Sequence, residues 1–97
     1  MQVFGHRGAA GEAPENTLAG LYHAIERGLH YVEIDLRLSA DQKIIVCHDA
    51  STLRTCGVKR AINRSQAAEL AKLDGRANVP EWPNKTGCGI PQLRTLM

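Results

Sequence analysis

No stretch of this chain approaches the ~20 consecutive apolar residues of a membrane span. The opening Met1-Gln2-Val3-Phe4-Gly5-His6-Arg7 also lacks the apolar run of a secretory signal. A cytoplasmic protein with no membrane span is therefore expected. Paired cysteines are missing too. Cys47, Cys56 and Cys88 are odd in number, irregularly spaced and form no Cys-x-x-Cys, which points away from a disulfide framework or a zinc knuckle and toward reduced thiols. Asn63-Arg64-Ser65 and Asn84-Lys85-Thr86 match the glycosylation acceptor pattern, but without a signal segment the match carries no weight. There is little excess charge: 12 Lys+Arg against 10 Asp+Glu leave +2, too small for a protein whose work is neutralising a nucleic-acid backbone, so nucleic acid is not an expected partner. Internal repeats of ~20–50 residues and low-complexity tracts are absent as well. What remains is 97 residues, 43% hydrophobic and 23% charged, the make-up of at most one globular domain.

The hydrophobic pattern divides the chain into alternating elements. Gln2-Val3-Phe4 is a short β-prone run leading into Gly5-His6-Arg7-Gly8 and an aperiodic loop. Asn16 suits a helix cap, after which Leu18, Leu21, Tyr22 and Ile25 recur at helical spacing until Gly28. Positions 31 to 38 alternate, with Val32, Ile34, Leu36 and Leu38 on one side and Tyr31, Glu33, Asp35 and Arg37 on the other. Strand, helix, strand makes a parallel βαβ unit. Only residues 39 to 42 then separate Leu38 from the β-prone Lys43-Ile44-Ile45-Val46-Cys47-His48, which requires an antiparallel hairpin. Irregular chain follows. Ser65 is a candidate cap for a short helix with Ala67, Leu70 and Ala71, and Pro91 suits the first turn of a helix carrying Leu93, Leu96 and Met97. That helix runs into the end of the chain uncapped, and two parallel strands leave open edges. The chain reads as cut short.

Chemistry gathers at the strand ends. Glu33 and Asp35, two apart on one strand, project from one face and together suit Mg²⁺ or Ca²⁺; taken alone, the same alternation describes a strand with a solvated polar face. A symmetric hairpin over residues 39 to 42 would set Leu38 opposite Lys43, Asp35 opposite Val46 and Glu33 opposite His48, giving an imidazole beside two carboxylates. A slip of one residue would turn His48 away. His6 follows the first strand, with Arg7 offering a planar fork for phosphate oxygens and Gly5 and Gly8 leaving the backbone open; a histidine tied into the core fits His6 equally. Cys47 points away from His48, against a Cys-His pair. Arg54, Lys59, Arg60 and Arg64 read as a solvated basic loop, and Trp82 as a loosely held loop aromatic.

His6-Arg7-Gly8, Pro14-Glu15-Asn16-Thr17, Glu33-Ile34-Asp35-Leu36 and His48-Asp49, in this order, resemble the N-terminal part of the glycerophosphodiester phosphodiesterases. Leu53-Arg54-Thr55 and Ile90-Pro91-Gln92-Leu93 extend the resemblance more weakly. It implies an α/β fold, the N-terminal portion of a TIM-type (β/α) barrel with a β-hairpin after the second strand, and residues 1–97 as a partial domain lacking the C-terminal barrel strands. It also implies hydrolysis of a small-molecule glycerophosphodiester to an alcohol and glycerol 3-phosphate with one divalent metal ion, Mg²⁺ or Ca²⁺. By the same resemblance Glu33 and Asp35 are metal ligands, His6 and His48 the general acid and base, and Arg7 a phosphate ligand. Glu15 and Asn16 take supporting roles. Gln42 stands where relatives commonly carry Gly, and the family's further metal-binding carboxylate falls past Met97. A truncated relative that binds phosphate or metal weakly without turnover is the second expectation.

Overall fold

A computed structural model of the chain describes residues 4–6, 12–29 and 31–97, with backbone alone for residues 4–6. Its elements run β1 (Phe4–His6), α1 (Leu18–Glu26), β2 (Tyr31–Glu33), β3 (Leu36–Leu38), β4 (Ile44–Val46), α2 (Leu53–Cys56), a 3-10 turn (Ile62–Arg64), α3 (Ala67–Leu70) and α4 (Leu93–Leu96). β1 and β2 pair in parallel across the α1 crossover, with Phe4 beside Tyr31, Gly5 beside Val32 and His6 beside Glu33. Gln2 and Val3 lie outside the described residues, and the strand extends through His6.

α1 is started by Thr17 rather than Asn16. The Thr17 hydroxyl accepts from the Gly20 amide at 3.0 Å and donates to the Pro14 carbonyl at 2.8 Å, so one side chain satisfies an orphan helix donor and ties it to the preceding loop. The helix ends at Arg27, and Gly28 follows at φ +76°, a left-handed conformation open to glycine without cost. Its buried residues are Gly20 and Ala24, whereas Tyr22 and Ile25 of the apolar stripe are exposed. Close backbone approach decides the face: the Ala19 amide donates to the Gly87 carbonyl at 2.9 Å.

The alternating run at positions 31 to 38 is two strands. Regular pairing stops after Glu33 and resumes at Leu36, and Leu36 and Leu38 are exposed rather than buried. β3 and β4 pair antiparallel with Leu36 opposite Val46, Arg37 opposite Ile45 and Leu38 opposite Ile44. This is one residue off the symmetric register, because Ser39 pairs with Lys43 and closes a three-residue turn in place of the expected four-residue one. Ser39 donates to the Lys43 carbonyl at 3.0 Å, Gln42 donates back to Ser39, and Gln42 sits at φ +63°. A three-residue loop closed by a left-handed residue has this geometry, and glycine would fit it with less strain.

β4 is flanked on its other side by the chain at Pro91 and Gln92: Val46 donates to the Pro91 carbonyl at 2.9 Å, and Ile45 bridges Gln92. Its Ile45 and Val46 are both fully buried, as expected of a strand covered on two faces. Ile45 joins Cys47, Ile62, Ala67, Leu70 and Ile90 in the core, with Cys56 and Leu73 packed alongside. α3 is capped from a distance. The Ala67 amide donates to the Asp41 carboxylate in the hairpin turn at 3.1 Å, while the Ser65 hydroxyl donates to the Ala61 carbonyl instead. α2 and the 3-10 turn occupy the stretch that sequence periodicity leaves irregular, and α4 starts at Leu93, two residues past Pro91.

Gly89 lies where a Cβ would overlap the Ala71 carbonyl oxygen. Both partners are backbone, so relief requires the chain itself to move. Gly89→Ala is expected to lower unfolding stability by about 1–3 kcal/mol, read from urea unfolding; a loss under about 0.5 kcal/mol would show that this crossing is loose.

Candidate functional site

The hairpin leaves the sheet just after Asp35 and returns at Cys47. The Cys47 amide donates to the Asp35 carbonyl at 3.0 Å, so the two ends of the excursion are tied, and the next residue, His48, emerges beside the Glu33–Asp35 segment. Arg37, inside the hairpin, reinforces the return: its Nε and Nη2 donate to the His48 carbonyl at 3.1 and 2.8 Å. The slipped register thus replaces the expected pairing of Glu33 with His48 and of Asp35 with Val46. By this slip Cys47 stands opposite Asp35 and His48 turns to the other face, so His48 is linked to the acidic segment only through the backbone bond of the residue before it.

Asn16, just before α1, is 3% exposed and holds φ +51°, a conformation that asparagine tolerates better than most side chains. From there its Nδ2 donates to the Asp35 carboxylate at 3.2 Å. Asn16 therefore braces Asp35 and leaves the capping to Thr17. Among the described residues the Oδ1 of the same amide is buried without a hydrogen-bond partner, where most buried polar atoms have one. The Asp35 carboxylate and the Asn16 amide oxygen are hard-oxygen groups of the kind that suits Mg²⁺ or Ca²⁺, although the described residues hold no cluster of three or more acidic, histidine or cysteine ligands.

On the far side of His48 lies a chain of charge-assisted hydrogen bonds. His48 Nδ1 meets Asp49 Oδ1 at 2.7 Å. Arg54, at the start of α2, donates from Nε and Nη2 to Asp49 at 2.9 and 3.0 Å, and from Nη1 and Nη2 to Glu15 at 2.7 Å each. Glu15 is 6% exposed, and a carboxylate so buried needs a cation in contact. The Arg54 guanidinium, with the His48 contact adding to it, holds the Asp49 carboxyl well below the usual carboxylate range. Glu15 first, and Asp49 second, hold Arg54 still more firmly protonated. Since Glu15 adjoins Asn16, the bonds form a circuit running Glu15, Asn16, Asp35, Cys47, His48, Asp49, Arg54 and back.

The structure brings Glu15, Asn16, Asp35 and His48 into this circuit. It puts Glu33 in register with the backbone of His6. The His6 side chain and all of Arg7 lie outside the described residues. Arg54, 40% exposed, is held by two carboxylates, whereas Lys59, Arg60 and Arg64 are simply exposed. Asp49 and Arg54 are the residues that sequence reasoning left without a role, and the Leu53-Arg54-Thr55 motif was the available signal. Trp82 packs edge-on against His23 of α1, ring centroids 5.5 Å apart, and His23 in turn meets Glu12 at 2.9 Å. All three cysteines are free, and burial pushes the Cys47 thiol up to about 11, an inert group at neutral pH. Among the described residues, no helix is long and apolar enough to cross a membrane.

Parallel pairing of β1 with β2 across the α1 crossover is the unit from which α/β folds, barrels among them, are built. The profile of the glycerophosphoryl diester phosphodiesterase family matches residues 6–97, and the chain belongs to that family. It is 34% identical over 97 residues to the glycerophosphodiester phosphodiesterase of Bacillus altitudinis, covering 99% of this chain and 38% of the relative. It is 36% identical over 74 residues to the human lysophospholipase D GDPD1, covering 76% of this chain and 24% of that protein. Its fold matches a phosphodiesterase of Oleispira antarctica, solved with the product sn-glycerol-3-phosphate, at a TM-score of 0.83 and 39% identity over 96% of this chain and 37% of that one. The chain thus spans less than two-fifths of these relatives, and its fold is consistent with a portion of a TIM-type barrel.

The sign of the acid response follows from Asp49. Its carboxyl titrates lower in the folded than in the unfolded chain, so the contribution is present above about pH 4 and is lost as pH falls through the folded value. At neutral pH, Arg54→Gln, which leaves Glu15 buried without its guanidinium, should destabilise by about 1–3 kcal/mol, less than a fully buried pair because Arg54 is partly solvated. The gap between wild type and variant should narrow in urea unfolding as pH drops from about 5 to about 2. A gap independent of pH would refute the assignment.

Proposed function

We propose that the protein acts in hydrolysing glycerophosphodiesters to an alcohol and glycerol 3-phosphate with one divalent metal ion, Mg²⁺ or Ca²⁺. The observation that carries this reading is the backbone bond from Cys47 to Asp35, which ties the residue before His48 to the segment braced by Asn16, in a chain of this family. The product bound to the Oleispira antarctica relative supports the substrate class.

A phosphodiester is anionic and repels nucleophiles, so its charge must be neutralised while protons move at both ends of the reacting axis. Glu33 and Asp35 would hold the metal, with Asn16 fixing the Asp35 carboxylate by its Nδ2 bond. The ion, when bound, supplies neutralisation of the phosphate oxygens. Arg7 binds a phosphate oxygen. Of His6 and His48, one removes a proton from the attacking water and the other delivers a proton to the departing alkoxide. The bond from phosphorus to the alcohol oxygen breaks, and water is added across it in the net reaction.

The test uses the native protein from its source, with the 97-residue chain in parallel, assayed for choline or ethanolamine release from the matching glycerophosphodiester during a metal titration. His6→Ala and His48→Ala should each cut turnover by roughly 10²–10⁴ with metal binding kept, while Glu33→Gln should raise the metal concentration required. Equal loss of metal affinity in all three would overturn the division of roles. Metal or phosphate binding without turnover in any preparation would favour a non-catalytic relative.

A further inference from the structure

Asp49 carries two bonds from Arg54 and one from His48 Nδ1, and Arg54 is itself anchored on the buried Glu15. We propose that Arg54 and Glu15 are positioning residues that act through Asp49 to keep the His48 proton on Nδ1, leaving Nε2 as the atom that takes or gives a proton in the reaction. This rests on the phosphodiesterase reading for its consequence, but its geometry stands independently.

The argument is one of donors and acceptors. An ionised carboxylate has no proton to give, so at 2.7 Å from Asp49 the His48 Nδ1 must be the donor. In the neutral imidazole the other nitrogen is then the acceptor. Arg54 secures both conditions. Its fork is complementary to the Asp49 carboxylate, and its remaining bonds to Glu15 stop the pair from swinging into solvent. The His48 backbone is held separately by Arg37 on its carbonyl. With the main chain fixed by Arg37 and the ring fixed by Asp49, His48 retains little rotational freedom although its side chain is 43% exposed. Glu15 reaches the site through Arg54, 39 residues further along the chain.

The tautomer is read directly from two-bond ¹H–¹⁵N spectra of the histidine rings, taken where the rings are neutral and assigned to His48 with His48→Gln. The wild-type protein should show His48 with its proton on Nδ1. Asp49→Asn, which offers an N–H in place of an anion, should move the proton to Nε2. Arg54→Gln should shift the ring toward the Nε2–H form that a solvated imidazole prefers, with kcat down about 10–100-fold and KM within about 2-fold. Arg54→Lys, a point charge without the fork, should recover only part of both. Glu15→Gln should shift both in the same direction by less, and it carries the test if Arg54→Gln does not fold. A wild-type His48 protonated on Nε2, or an unchanged spectrum in the folded Arg54 and Glu15 variants, would overturn the proposal. Absence of turnover with every metal, alongside the expected spectra, would overturn the phosphodiesterase reading and leave the hydrogen-bond assignment standing.

Discussion

The site depends on one guanidinium. Arg54 sits between two carboxylates from separate segments of the chain, Glu15 from the loop before α1 and Asp49 from the end of the hairpin. Glu15 is too deeply buried to be left ionised without a cation, and Asp49 has no other link to that loop among the bonds described. A lysine would satisfy the charge but not the four-bond geometry, since only a planar fork spreads directional donors over two acceptors. The pair therefore does more for arrangement than for net stability, the balance expected when a buried charge offsets its own desolvation.

Hairpin register is the second constraint. Were the turn two or four residues long, Cys47 would not meet the Asp35 carbonyl, and its small apolar thiol would change faces with His48. In the observed register Cys47 enters the core with Ile45 and Ile62, and His48 faces outward. Core packing thus selects the register, and the register delivers the histidine. The strained residue is Gln42, stabilised by its bond to Ser39 and by Asp41, which reaches from the turn to α3. A functional position is fixed here by a turn that touches no substrate group.

Much of this was legible in the sequence. The parallel β1–α1–β2 unit, Gly28 as the helix stop and the antiparallel return to His48 all follow from local pattern. Apart from the hairpin register, the misreadings have a common cause in partners distant along the chain. Register turned on whether Gln42 adopts a left-handed conformation, which no periodicity reports. The cap of α3 came from Asp41 rather than the nearer Ser65, because the hairpin folds over that helix start. Arg54 looked like one of four loop cations until its partner, 39 residues away, was in place. The apolar stripe of α1 predicted burial of Tyr22 and Ile25, but the face carrying Gly20 and Ala24 is the one that admits close packing.

The run Pro14-Glu15-Asn16-Thr17 shows how local conformation and site geometry are joined. The Pro14 carbonyl accepts the Thr17 hydroxyl, and Thr17 in turn caps α1, so the two ends of the tetrapeptide clasp each other and fix where the helix begins. That clasp forces a tight bend, and Asn16 absorbs it with a positive φ. Within the bend, the side chains of Glu15 and Asn16 serve different partners: Glu15 anchors Arg54, and Asn16 braces Asp35. All four residues are buried, so none of these contacts is exchanged freely with water. Helix nucleation and orientation of both the carboxylate and histidine ends of the site are consequently one structural event, in which loosening the cap would loosen the site.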